Sequence, residues 1–369
     1  MRIAYVITRS DAVGGASIHV RDLAREMIAR GHRAEVFLGG VGPVTDQLEN
    51  AGVPYRALEF LGRSVHPIRD WKAFRELSNA LIEFRPGIVS THTAKAGWIG
   101  RAVCARLGIP AIYTPHGWPA GDRFPPFQRR LFAAAERIAA RRASAIVCVC
   151  EYEKQVAIEK RLARPEQLVV VYNGVRDVGP ELRAAAGAAP VRLISVARLE
   201  PPKDHATLID ALSRLTNLDW RLDLVGDGPL RDSVCARAQT ARIADRIQFV
   251  GYSADPAALL ARSQIFVLSS RAEAFPRSVL EAMRAGLAIV ASDAGGVGEA
   301  LDNGSNGILV PRRDPVALSK TLGELIKDAD RRRRLGTAAR FTYEVRFRLD
   351  AMVERTAALY ESVLRNAAR

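Results

Sequence analysis

Nothing in this sequence suits it to a membrane interior or to an oxidising compartment. No stretch reaches the ~18–20 uninterrupted apolar residues that a membrane-spanning helix needs. The apolar start at residues 3–7 breaks at Thr8-Arg9-Ser10-Asp11, too soon for the core of a secretion signal. It reads as a buried first strand, and the chain as cytoplasmic. Only four cysteines occur, Cys104, Cys148, Cys150 and Cys235, with neither CxxC nor zinc spacing. Cys148 and Cys150 alternate along an apparent strand, as packing residues do. Acidic residues are the scarcer charge, 40 against 54 Lys+Arg, for a net charge of +14. Of that excess +10 falls on residues 1–176, which hold 26 basic and 16 acidic residues. Such an imbalance suits an anionic partner: a phospholipid headgroup, a lipid diphosphate or nucleic acid. No zinc-finger, RNP or helix-turn-helix signature accompanies it, so nucleic acid is set aside. A GxGxxG fingerprint is also missing, which argues against a dinucleotide enzyme. The Asp-x-Asp metal motif has one match, Asp328-Ala-Asp330, on a late helix beside Arg331 where a solvated face accounts for it. No metal site is expected.

What is present is a long alternation of strands and helices. At 369 residues, 48% hydrophobic and 25% charged, the chain has material for two globular cores. Short apolar runs predict strands at 2–8, 34–38, 87–90, 111–114, 145–149 and 167–172. Residues 174–190 lose periodicity and are rich in Gly, Ala and Pro, the composition of a linker. The alternation restarts with strands at 192–197, 221–225, 247–250, 264–268 and 288–291. Two successive βαβ arrays predict two doubly wound parallel sheets, with ligands at the carboxyl ends of the strands and in the cleft between domains.

The second array carries the most informative segment, Glu273-Ala-Phe-Pro-Arg-Ser-Val-Leu-Glu281. Pro276 fits the start of a helix and Gly286 its stop. Phe275, Pro276, Arg277 and Ser278 then surround a helix N-terminus suited to phosphate. A carboxylate can accept both hydroxyls of a vicinal diol, so Glu273 and Glu281 are candidates for sugar and ribose. A cap and a solvated helical residue would explain the two glutamates alone. Arg198 and Lys203 follow the first strand of the same array in one loop, a candidate diphosphate cradle. Val225-Gly226-Asp-Gly-Pro229 makes a turn after the next strand, and Val250 ends another.

In order and spacing these elements resemble glycosyltransferase family 4 over nearly the whole chain. The resemblance implies the GT-B fold: an α/β acceptor domain at 1–175, a Rossmann-like donor domain at 176–345, and a tail at 346–369 crossing back to the first domain. It implies a retaining, metal-independent transfer from a nucleotide-diphosphate sugar, with no cofactor. It assigns Glu273 to the donor sugar hydroxyls, Glu281 to the ribose diol, Arg198 and Lys203 to the diphosphate, and main chain around Gly226 and Val250 to the nucleotide. Ala197, Asp204 and Ala274 stand where the family usually has glycine, and Ala274 bears on donor identity. A nucleotide-sugar 2-epimerase on the same architecture, or a silent nucleotide-sugar-binding module, are the alternatives. The Glu273–Glu281 motif speaks against the first and the intact cations against the second.

In the first array, the loop Val13-Gly14-Gly15 opens a helix, and Gly15 is the candidate for backbone contact with phosphate. Thr114-Pro-His116-Gly-Trp118 ends a strand. The resemblance puts His116 beside the reacting sugar; a satisfied structural histidine is the other reading. Thr91-His92-Thr93-Ala-Lys95 through Arg101 resembles the bacterial members that build capsule, exopolysaccharide or O-antigen chains, whose acceptors are usually polyprenyl-diphosphate-linked saccharides. His92, Lys95 and Arg101 are acceptor candidates on that basis, with a solvated helix face as the competing reading for Arg101. Residues 127–142 mix Phe127, Leu131, Phe132 and Ile138 with five arginines. That is either a helix lying on the anionic inner face of a membrane or a core helix with a charged outer side.

Overall fold

The computed structural model describes residues 1–118, 126–184 and 189–367. Residues 185–188 of the expected linker and 368–369 of the expected tail lie outside the described residues. The chain divides into two compact units, Met1–Asn173 with Asp350–Arg369, and Gly174–Leu349.

The first unit begins with β1 (Arg2–Ile7), α1 (Gly15–Ala29), β2 (Arg33–Gly39), α2 (Pro43–Asn50) and β3 (Tyr55–Leu58). It continues with α3 (Pro67–Phe84), β4 (Ile88–His92), α4 (Ala94–Leu107) and β5 (Ala111–Thr114). Then come α5 (Pro126–Ala140), β6 (Ala145–Cys148), α6 (Glu151–Glu159) and β7 (Leu168–Val170). Its seven strands order as β3-β2-β1-β4-β5-β6-β7, all parallel. The chain reverses direction across the sheet between β1 and β4, where Ile7 pairs with His92. β1, β4 and β5 are wholly apolar or buried at nearly every position, as strands covered by helices on both faces must be.

The second unit holds β8 (Val191–Val196), α7 (His205–Leu212), β9 (Trp220–Val225), α8 (Arg231–Thr240) and β10 (Ile247–Gly251). After α9 (Ala257–Ala261) and β11 (Ile265–Leu268) come α10 (Arg277–Ala285), β12 (Ala288–Ser292) and α11 (Val297–Ala300). β13 (Ile308–Val310), α12 (Pro315–Lys327) and α13 (Ala329–Arg346) complete it. The order β10-β9-β8-β11-β12-β13 repeats the doubly wound plan, with its reversal between β8 and β11. Leu193, Leu222, Ile265 and Val290 meet Leu208, Leu212 and Leu322 in one core. Each such side chain contributes about 1.5–3 kcal/mol by leaving water.

The segment expected to be a linker is fastened where it enters this unit. Arg277 donates to Gly174 O (3.0 Å), Arg284 to Arg176 O (3.1 Å), and Arg340 grips Asp177 at 2.6 and 2.8 Å. Val175 pairs with Arg348 as an isolated bridge. The last helix, α14 (Leu349–Ala367), lies with the first unit from Asp350 onward. There Tyr360 is 1% exposed and lies against Tyr5 and Ser90, and burial raises the pKa of both tyrosines.

The expected Asp328–Asp330 pair serves α13 itself. Asp328 caps it by accepting from Arg331 N (2.8 Å), and Asp330 pairs with Arg333. Cys104, Cys148 and Cys150 are buried thiols.

Candidate active site

In the second unit the strand order places two loops side by side. Lys203, in the loop after β8, donates to Glu273, in the loop after β11. The loops are further joined by an isolated bridge between Lys203 and Ser270, and by Arg271 N to Pro202 O at 2.9 Å. Asp204, where the family usually has glycine, caps α7 and takes Arg271 in two hydrogen bonds of 2.8 and 3.2 Å. Burial opposes ionisation of Asp204, but the Arg271 and Thr207 hydrogen bonds outweigh it and hold its pKa below the usual value.

Arg198 is exposed on the same β8 loop and pairs with Glu200 at 2.7 Å. The glycine turn after β9 holds that loop in place. Leu199 N donates to Asp227 O, and Leu230 N to Leu199 O, both at 2.9 Å. Gly226 has φ +137°, and a Cβ there would stand 2.1 Å from Ala197 O. Only glycine lets the two loops approach so closely. The Gly226 amide is itself committed to Gly251 O (2.7 Å), so this residue supports the cation loop rather than offering its N–H to a ligand.

Pro276 is the N-cap of α10, and Gly286 closes the helix in the left-handed region. Phe275 and Pro276 are buried, Ser278 and Glu281 half-buried. Arg277 departs from its expected role. It is 8% exposed and its guanidinium reaches Gly174 O, so its side chain braces the entering chain.

In the first unit, β4 runs two residues beyond the expected 87–90 and carries His92 into the sheet. His92 is 1% exposed. Its Nε2 meets Ser90 Oγ at 3.0 Å, and its Nδ1 meets His116 Nε2 at 3.0 Å. Burial, with His19 nearby, holds its pKa well below the ordinary histidine value, so it is neutral. A direct contact with acceptor is therefore replaced by contact with His116. Next in sequence, Thr93 has φ 68° and ψ 161°, a backbone region otherwise nearly reserved for glycine. Thr8 Oγ1 holds its hydroxyl at 2.7 Å, and its amide donates to Thr114 O at 3.1 Å. His116 also has positive φ, 53°. Two non-glycine residues with positive φ, just beyond the ends of the neighbouring strands β4 and β5, mark a place kept for something other than stability.

Lys95 and Arg101 are both withdrawn from the surface. Lys95 Nζ binds Asp70 (2.5 Å) and Ser64 O (2.9 Å), anchoring the loop after β3 to α4. Arg101 is 0% exposed, stacked 3.9 Å over the Tyr113 ring. Its Nη1 stands 2.7 Å from Glu136 Oε1, close but off the line of a hydrogen bond. Neither the acceptor role nor the solvated face holds for Arg101, because the chain folds it into the core with α5. The loop that Lys95 anchors borders an open hollow of about 630 Å³ lined by Thr8, Arg9, Arg63 and Arg69 among others. Gly15 is exposed at the first position of α1, with Gly14 extended before it.

A profile described as "Glycosyltransferase Family 4" matches residues 13–177, and one described as "Glycosyl transferases group 1" matches 184–341. The N-acetyl-alpha-D-glucosaminyl L-malate synthase of Bacillus anthracis is 30% identical over 99% of this chain and 98% of its own. The chain belongs to glycosyltransferase family 4. The Escherichia coli UDP-Gal:alpha-D-GlcNAc-diphosphoundecaprenol alpha-1,3-galactosyltransferase is 26% identical over 74% of each chain. Among solved structures, Anabaena Alr3699/HepE in complex with UDP and glucose superposes with a TM-score of 0.86 at 23% identity, covering 98% of this chain and all of the other. The fold is GT-B, and the protein is a glycosyltransferase that uses nucleotide-sugar donors.

Two residues of this glycosyltransferase's site escaped the sequence reasoning. His19, on α1, packs edge-on to His116 with ring centroids 4.9 Å apart. Glu153, near the start of α6, accepts from Gly117 N (2.6 Å) and Val149 N (2.8 Å), so it fixes the His116 loop from below. Burial outweighs those two hydrogen bonds and raises its pKa to about 7 from the usual 4.5. The native state thus holds this proton where the unfolded chain has lost it. The resulting stability is complete below pH 4.5 and is lost as pH rises through 7. By this group alone unfolding free energy falls by about 3 kcal/mol across that window. Urea unfolding of the wild type and Glu153→Gln at a series of pH values checks this: the difference between them carries the slope.

Proposed function

We propose that this transferase moves a sugar, with retained anomeric configuration and without a metal ion, from a UDP- or GDP-linked donor to a saccharide carried on a polyprenyl diphosphate. The product is a growing cell-surface polysaccharide, made at the cytoplasmic face of the inner membrane. The observation that carries the donor half is the Lys203–Glu273 contact, which ties the cation loop to the carboxylate assigned to the sugar. As the anomeric C–O bond breaks, negative charge collects on the departing diphosphate, where Arg198 and Lys203 stabilise it. The acceptor hydroxyl bonds to the same face of the sugar and its proton passes to the departing phosphate. Glu273 and Glu281 hold the hydroxyls of sugar and ribose, the amides at the start of α10 meet phosphate, and His116 orients the sugar. The acceptor class rests on the resemblance and on the diphosphoundecaprenol-linked substrate in the name of the Escherichia coli relative.

The test is nucleotide release from UDP-GlcNAc, UDP-Glc, UDP-Gal and GDP-Man, with and without a polyprenyl-diphosphate-linked saccharide. Release that requires the acceptor supports the proposal. Equal release without acceptor, or none with any donor, defeats it.

Membrane contact belongs to the same proposal. Phe127, Leu131 and Ile138 are 77%, 58% and 56% exposed on α5, at spacings of four and seven that align them on one side. Exposed Arg130, Arg141 and Arg142 flank that stripe. An apolar stripe rimmed by arginine is the form of a helix lying in an anionic interface. Among the described residues no helix is long and apolar enough to cross a membrane. Changing Phe127, Leu131 and Ile138 together to serine is expected to reduce sedimentation with phosphatidylglycerol vesicles about tenfold while leaving soluble turnover intact. Unchanged sedimentation would rule this surface out.

A further inference from the structure

Three imidazoles converge where β1, β4 and β5 end. His19, His92 and His116 each present one ring nitrogen, and these atoms lie within 4.8 Å of one another. His92 and His116 stack with centroids 5.3 Å apart, and His19 packs 5.6 and 4.9 Å from them. Two of the rings have fixed outer partners: His19 Nδ1 with Asn173 Oδ1 at 3.1 Å, and His92 Nε2 with Ser90 Oγ at 3.0 Å. Metal-binding histidines are held in this manner, the second ring nitrogen oriented by an oxygen. His19 and His92 are buried, while His116 is half-buried, so the group is open on one side. His116, and Thr93 next to His92, both have positive φ.

We propose that these three histidines bind one divalent transition ion, zinc, nickel or copper, with a fourth position open, and that the bound ion blocks sugar transfer by occupying His116. Three neutral imidazoles with neither thiolate nor carboxylate favour those ions over magnesium or calcium. Tetrahedral zinc at ~2.0–2.1 Å from each nitrogen sets the nitrogens about 3.4 Å apart. His92 and His116 are already 3.0 Å apart, so small ring rotations complete the triangle. His92 becomes a ligand through Nδ1 by carrying its proton on Nε2, which Ser90 Oγ accepts. Blockade rests on the role given to His116 above; ion binding does not.

The full chain, stripped with chelator and dialysed, is titrated with zinc chloride by calorimetry and with cobalt(II) by visible absorption. One saturable equivalent is expected, with the intense bands of four-coordinate cobalt. His19→Gln, His92→Gln and His116→Gln each weaken binding by about tenfold or more, and Ser90→Ala by about tenfold. No saturable equivalent in the wild type, a six-coordinate cobalt spectrum, or equal affinity in folded glutamine variants overturns the site. The cobalt spectrum needs no variant and stands even where a substitution prevents folding. Acceptor-dependent nucleotide release should fall as zinc fills the site; binding with unchanged release overturns the blockade alone. Absence of release before any zinc is added counts against the proposed transfer and leaves the binding result standing.

Discussion

Lys203→Ala is expected to lower turnover about 10²–10³-fold, while EDTA leaves the wild type undiminished. The charge on the departing diphosphate peaks as the bond breaks, and a fixed cation acts most strongly there. A unit charge ~4 Å from another is worth about 4 kcal/mol at an effective dielectric near 20. Removing Nζ also strips Glu273 of its partner, so an uncompensated carboxylate is left in the loop that the proposed mechanism turns to the donor. The loss should appear in the rate of nucleotide release at saturating donor, since in the proposed mechanism the charge that Lys203 meets develops during reaction. Activity that disappears in EDTA and returns with Mg²⁺ would mean that a metal ion, not this lysine, carries the diphosphate charge.

The second large effect concerns stability. Arg101→Ala is expected to cost about 3–5 kcal/mol, because it leaves the Glu136 carboxylate buried without its cation. Both side chains are 0% exposed, and the guanidinium also loses its stacking on Tyr113. Glu136 further accepts from Trp98 Nε1 at 2.9 Å, so the pair joins α4 to α5 through three residues. Removing both charges, as Arg101→Met with Glu136→Leu, should recover part of the loss and not all of it, since Trp98 is then left without its acceptor. Urea unfolding of the two singles and the double measures the coupling. A single-mutant cost below about 1 kcal/mol would show that the pair is solvated in solution.

The strands that escaped the sequence reading are β3 and β13, of four and three residues. Each lies at a sheet edge, where half the backbone bonding and one flank of packing are missing. β3 carries Arg56 at its second position, and β13 is three residues long. Charge and brevity are how edge strands avoid unwanted pairing: Arg56 interrupts the apolar run of β3, and the three apolar residues of β13 are too few to stand out as a strand. The doubly wound plan was legible because buried parallel strands leave uninterrupted Val, Ile and Leu runs. Glu273 and Lys203 were legible as loop residues, but their contact depends on β8 and β11 being neighbours, which no local pattern records. Arg101 and Lys95 misled for the opposite reason. A helical basic residue looks the same in sequence whether it faces water or a carboxylate of a neighbouring helix, and only the position of Glu136 or Asp70 decides. Glu153 gave as its one signal a place in the first turn of a helix, where an acidic residue is ordinary.

Because Tyr360 and its neighbours belong with residues that precede Gly174, the order of synthesis differs from the order of folding. The ribosome must deliver the 176 residues of Gly174–Leu349 before the helix that covers Tyr5 and Ser90 is made. At roughly 5–20 residues per second that is a delay of about 9–35 s. During it the first seven-stranded sheet stands with an apolar flank uncovered, while the intervening half can complete itself. Newly made chains should thus pass through a stage in which one lobe is finished and the older one is still waiting, and chaperones or proteases acting in that interval would meet the amino-terminal lobe.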